Sequence, residues 1–109
     1  YRLGWIGDYV DPMNFLELWT SKSGNNNTRF ASPAYDRLIA KARDTADDEA
    51  RYELYRQAEA MLTGPQGDMP IAPIYWYTYT NLERASVKDT FKINLLDQFD
   101  LSRVVIEEA

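Results

Sequence analysis

The stretch "SPAYDRLIAKARDTADDEARYELYRQAEAMLTGP", residues 32–65, holds two segments with helical periodicity and decides the fold. Ser32 is suited to a helix N-cap, and Pro33 to the first helical position, where a missing N–H has no partner to lose. Tyr35, Leu38, Ile39 and Ala42 follow at i, i+3, i+4 and i+7, so the spacing predicts a helix from Ser32 to about Asp44 with one apolar face. A second helix starts near Asp47, with Asp48 and Glu49 against its positive N-terminal end. It turns Leu54, Tyr55, Ala58, Met61 and Leu62 inward and stops at Gly64-Pro65. The two read as a helical hairpin whose outward charges, mixed in sign, form a solvated surface.

On the N-terminal side, residues 2–7 read as a short buried strand, with Gly4 and Gly7 allowing another backbone to come close. Asp11-Pro12 marks a turn, and Phe15, Leu16 and Trp19 suggest a short helical turn after it. "SKSGNNNTR", residues 21–29, is a loop, in which Asn26-Asn27-Thr28 fits a glycosylation sequon of the kind common by chance. On the C-terminal side, "MPIAPIYWYTYTNL", residues 69–82, changes the period. Ile71, Ile74, Tyr75, Trp76, Tyr77 and Tyr79 are strand formers, while Pro70 and Pro73 cannot donate to a ladder and push the strand to an edge or a bulge. Val104, Val105 and Ile106 read as a last short strand. The order is strand, loop, two helices, strand, loop, strand: an α/β unit.

The 109 residues are enough for one core, and no apolar run approaches the ~18 residues of a membrane helix. A net charge of −5 with no clustered Lys and Arg argues against a nucleic-acid surface. With no cysteine there is no disulfide, thiol nucleophile or zinc–cysteine site, and with no histidine the commonest general base and metal ligand is gone. No cofactor or metal site is expected. The chain opens at Tyr1 inside an apolar run, which reads as a piece of a longer protein.

Few residues are candidates for chemistry. Asp8 and Asp11 could pair for acid/base work, although two aspartates flanking a turn are ordinarily turn residues. Asp44, Asp47, Asp48 and Glu49 lack calcium-loop spacing and read as helix caps, and Gly4-Trp5-Ile6-Gly7 lacks the length and lysine of a phosphate loop. Tyr75, Trp76, Tyr77 and Tyr79 could stack on sugars or pack a half-buried strand. Arg2 and Asp8, six residues apart on one apolar segment, remain.

Taken together, "GWIGDYVDPMNFL", "SPAYDRLIAKA", "DDEARYELYRQAEAML" and "PIAPIYWY" resemble the C-terminal part of bacterial oligopeptide-binding proteins. These are the extracytoplasmic solute receptors of peptide ABC transporters, in a family that also holds dipeptide, nickel and some oligosaccharide binders. The similarity covers nearly all 109 residues in the same order. It implies the C-terminal portion of a class II periplasmic-binding-protein-like lobe, with residues 1–109 a single segment of it.

The resemblance also implies a site. The segment from Arg2 to Asp8 corresponds to a strand lining the cleft that holds an extended peptide by backbone pairing. By direct match, Asp8 takes the ligand's α-ammonium, Arg2 lies near its carboxylate end, Trp5 walls a side-chain pocket, and Gly4 and Ile6 offer their peptide groups. Main-chain pairing tolerates any ligand sequence, so a fixed carboxylate is needed to set the register. The implied protein is a non-enzymatic receptor with an oligopeptide ligand and ABC permease partners. It would be periplasmic, or lipid-anchored outside the membrane in Gram-positive sources, with a lipoprotein-type signal and another lobe upstream. The alternative from another class is a carbohydrate-binding module using Tyr75 to Tyr79; a glycosidase piece using Asp8 and Asp11 is more remote. Alone, the segment is expected to self-associate through exposed strand edges.

Overall fold

The structure, a computed structural model, describes residues 2–78, 80, 82–88 and 98–107. Its contacts gather into two compact units, one of Asp11–Ile74 and one of Tyr1–Val10 with Tyr75–Ala109.

The first unit is helical. It begins with α1 (Met13–Leu16), continues through a 3₁₀ turn at Glu17–Trp19, and is dominated by α2 (Pro33–Arg43) and α3 (Asp48–Thr63). The hairpin stands where the periodicity puts it. Ser32 Oγ accepts the Tyr35 N–H at 3.3 Å, and Asp47 Oδ1 accepts the Ala50 N–H at 2.8 Å, so each long helix has a side-chain cap for its orphan donors. Asp48 and Glu49 occupy the first turn of α3, and Lys41 and Arg43 the last turn of α2, each matching the helix dipole.

The core is Tyr35, Ile39 and Ala42 from α2, Leu54, Tyr55, Ala58 and Leu62 from α3, and Met13, Leu18 and Trp19 from the segment before them. Leu38 and Met61, expected on the inner faces, are only half-buried, since each stands at the margin of its apolar stripe. The Tyr35 hydroxyl donates to the Leu16 carbonyl at 2.7 Å, joining α2 to the end of α1. Burial in that position pushes the Tyr35 pKa well above its ordinary value, and the charge of Asp36 adds to the shift.

Two glycines close the helical unit. A Cβ on Gly64 would stand 2.5 Å from the Ala60 carbonyl oxygen, and one on Gly67 would stand 2.9 Å from it. This lets the chain fold back over the helix end, where Asp68 N–H donates to Met61 and Met69 N–H to Leu62, with Met69 at a left-handed φ of 48°. Residues 21–29 are a loop, as expected. Asn26 organises it by donating its side-chain amide to the carbonyls of Trp19, Thr20 and Phe30. In the folded chain the side-chain nitrogen of Asn26 is thus engaged with three backbone oxygens.

The second unit holds a two-stranded antiparallel ladder, β1 (Val87–Lys88) with β2 (Val105–Ile106), in the register Val87 to Ile106 and Lys88 to Val105. A 3₁₀ turn at Leu101–Arg103 leads into β2, capped by Asp100, whose carboxylate accepts the Ser102 N–H at 3.0 Å. The last strand is therefore present but begins at Val105, because Val104 caps that turn. β1 was not foreseen.

Two other expected strands need correction. Residues 2–7 form no ladder with a described strand and are not a buried strand; within that stretch Gly7 is buried, Trp5 half-buried and the rest exposed. In residues 69–82 no described position is in a strand, and Ile74 to Tyr77 stand in solvent; Tyr79 lies outside the described residues. An apolar, β-branched or aromatic composition suits a strand but does not supply the neighbour that makes one.

Candidate ligand-binding site

The candidate residues sit on the segment Arg2–Asp8. Gly4 faces open space: a Cβ built there meets no atom within 4 Å. Gly4 is exposed, and close packing within the described residues does not require a glycine there. Ile6 is exposed, Trp5 is half-buried, and Asp8 stands exposed at a bend just after the buried Gly7.

Arg2 has company that sequence reasoning did not assign to it. Its guanidinium carbon lies 5.8 Å from the Tyr75 ring centroid and 5.4 Å from that of Tyr77, within cation–π reach of both. The two rings are 5.6 Å apart and inclined at 41°. A hydrogen bond between the Arg2 and Tyr77 side chains, and then the guanidinium charge, hold the Tyr77 hydroxyl below the usual phenol range; the same bond raises Arg2. The signal was legible: residues i and i+2 of an extended chain share a face, so Tyr75 and Tyr77 were bound to act together. What the sequence lacks is any sign that Arg2, more than 70 positions away, is what they meet.

Asp11 has a structural task. Its Oδ1 accepts the Met13 N–H and the Tyr55 hydroxyl, both at 2.8 Å, and its Oδ2 lies 3.3 Å from Arg51. Arg51 also meets Asp48 at 2.9 Å and lies near the rings of Tyr52 and Tyr55. A carboxylate so engaged holds the turn onto α3, which is the turn-residue reading of the sequence rather than acid/base chemistry. Among the described residues, no group of three or more His, Cys, Asp or Glu side chains could hold a metal. No described helix is long and apolar enough to cross a membrane.

Comparison with solved structures defines the class. The chain is homologous to part of the bacterial peptide-binding proteins, substrate-binding proteins of α/β fold. It superposes over 96% of its length on the murein tripeptide binding protein of Escherichia coli, with a TM-score of 0.79 and 36% identity. Over 95% of its length it superposes on the substrate-binding domain of an oligopeptide ABC transporter from Bacillus anthracis, with a TM-score of 0.82 and 28% identity. In sequence, it is 40% identical over 88 residues to the oligopeptide-binding protein OppA of Bacillus subtilis. It is 43% identical over 81 residues to the periplasmic oligopeptide-binding protein OppA of Salmonella typhimurium. Those matches take in 80% and 74% of this chain but only 16% and 14% of the relatives, and the two structures are covered to 20% each. No protein-family model matches the chain.

Proposed function

We propose that the chain is one segment of a solute-binding receptor that takes up peptides outside the cytoplasmic membrane and delivers them to an ABC permease. The observation that carries this reading is the homology, at 40% and 43% identity, to proteins named for binding oligopeptides. The receptor is non-enzymatic; its relatives are named for what they bind. Its place is the periplasm, or the outer face of the membrane on a lipid anchor.

Within that reading, residues 2–8 are a docking edge. An extended peptide brings unpaired N–H and C=O groups along its whole length, and pairing them with Gly4 and Ile6 requires a backbone not already in a ladder. Residues 2–7 join no described ladder, and the space over Gly4 is open. Trp5 walls a side-chain pocket. Asp8 takes the ligand ammonium and sets its register, and Arg2 meets the carboxylate end. The exposure of Tyr75, Trp76 and Tyr77 (61%, 87% and 65%) is what a sugar platform would also need. Their relatives' names speak for peptide.

The test is a cycle in the full-length receptor, Asp8→Asn against acetylation of the peptide's amine, read by calorimetry. Removing one member of a desolvated charge pair costs about 2–5 kcal/mol, roughly 30- to several-thousand-fold in affinity. That loss is expected for the free-amine peptide and should nearly vanish for the acetylated one. A coupling energy near zero would reduce Asp8 to a turn residue, and sugar binding indifferent to Asp8 would favour the carbohydrate-binding module.

A further inference from the structure

We propose that Tyr75 and Tyr77 are positioning residues, an aromatic seat that holds the Arg2 guanidinium in place for a ligand carboxylate. The inference rests on the peptide-receptor reading for its ligand, but its geometry stands on Arg2 and the two rings alone.

Arg2 is exposed and carries a long, flexible side chain. A carboxylate meeting such an arginine in water has first to arrest its rotamers, and that ordering subtracts from affinity. Here the arrest is made before the ligand arrives. The guanidinium carbon is shared between two rings at 5.4 and 5.8 Å, and the rings themselves stand 5.6 Å apart. A guanidinium is attracted to aromatic rings through its charge and its flat face, whereas its N–H donors lie in its own plane. Holding the group against two rings therefore fixes the plane from which paired donors can meet a carboxylate side by side. Trp76 supplies an internal contrast. It stands between the two tyrosines in sequence, is 87% exposed, and has no place in the seat.

The experiment uses the full-length receptor and one peptide in three forms: free acid, C-terminal amide, and an amide bearing a glutamate side chain. Tyr77→Leu should weaken the free-acid form about 2- to 10-fold and leave the plain amide essentially unchanged. Tyr77→Phe, which keeps a ring, should retain part of the effect. Trp76→Leu should not alter the acid-to-amide ratio. In an Arg2→Ala background the Tyr77 substitution should have no further influence on that ratio. A terminal carboxylate in the seat gives the effect with the free acid alone; a side-chain carboxylate gives it with the glutamate peptide, and either supports the proposal.

A second readout needs no peptide. With ¹³C-labelled tyrosine, the Tyr77 hydroxyl should titrate at higher pH once Arg2 is replaced by alanine. An unmoved titration would overturn the seat, whatever the receptor binds. A moved titration with equal loss for acid and amide on Tyr77→Leu would overturn its role toward a carboxylate. Failure of the parent protein to bind any peptide would instead fall on the function proposed above, and the tyrosine titration would still decide the seat.

Discussion

At the scale of single residues, Tyr35 shows how one buried polar group links packing to solution conditions. Its ring fills the centre of the helical unit, and its hydroxyl is satisfied by the Leu16 carbonyl at 2.7 Å. Burial first, and the Asp36 charge second, raise its pKa above the ordinary phenol value of about 10. The folded pKa is thus higher than the unfolded one, and the folded state holds its proton where the unfolded state loses it. The resulting stability is fully present below about pH 10 and is lost as pH rises beyond it, at up to ~1.4 kcal/mol per pH unit from this group. Tyr35→Phe should cost about 1 kcal/mol near neutrality through the lost hydrogen bond, and should flatten this part of the alkaline decline. Urea unfolding near pH 8 and near pH 11 measures both; an equally steep decline in the phenylalanine variant would refute the assignment.

At the scale of elements, the helices were legible and the strands largely were not. Ser32, Pro33 and Asp47 announce helix starts by local chemistry, and Tyr35, Ile39, Ala42, Leu54, Tyr55, Ala58 and Leu62 announce their inner faces by spacing, so nothing distant is needed to read them. Residues 2–7 and 69–82 were misread because a strand is a property of two segments, and their composition carries no record of the second. The same limit hid the meeting of Arg2 with Tyr75 and Tyr77. The end of α3 offers a sharp test. Gly64 has φ of −68°, a conformation in which alanine would ordinarily stabilise by about 0.4–1 kcal/mol through the unfolded state. Here the added Cβ would press on the Ala60 carbonyl at 2.5 Å, a backbone atom that cannot swing aside. Gly64→Ala should therefore destabilise, by about 1–3 kcal/mol in chemical denaturation. A gain in stability would show that the helix end yields more easily than this contact implies.

At the scale of the whole molecule, the chain exposes apolar surface that an isolated body of this size rarely leaves open. Leu82, Trp76, Val10, Ile74 and Ile106 are each more than three-quarters exposed, and β1 and β2 each have one edge unpaired among the described residues. Free edges beside apolar side chains recruit other chains. The isolated 109 residues should therefore self-associate, with light-scattering mass rising across a concentration series. On the function proposed above they should bind peptide at millimolar strength or weaker, since a chain spanning 14–20% of its relatives would supply only part of a cleft and leave much of the ligand in water. A concentration-independent monomer with micromolar peptide affinity would contradict both expectations.

The hairpin of α2 and α3 also sets an order of assembly. Its helices are joined by the short stretch 44–47, so the first contacts across it form between near neighbours and the two helices, each stabilised locally, close outward from there. The β1–β2 ladder must bring Val87 to Ile106, and residues 2–7 join no described ladder at all. We expect residues 32–63 to become native first, on their own contacts, and hydrogen-exchange labelling during refolding measures that order. On the function proposed above, the stretches meant for the ligand would take shape later, and a stage already structured but not yet competent to bind would precede the finished receptor.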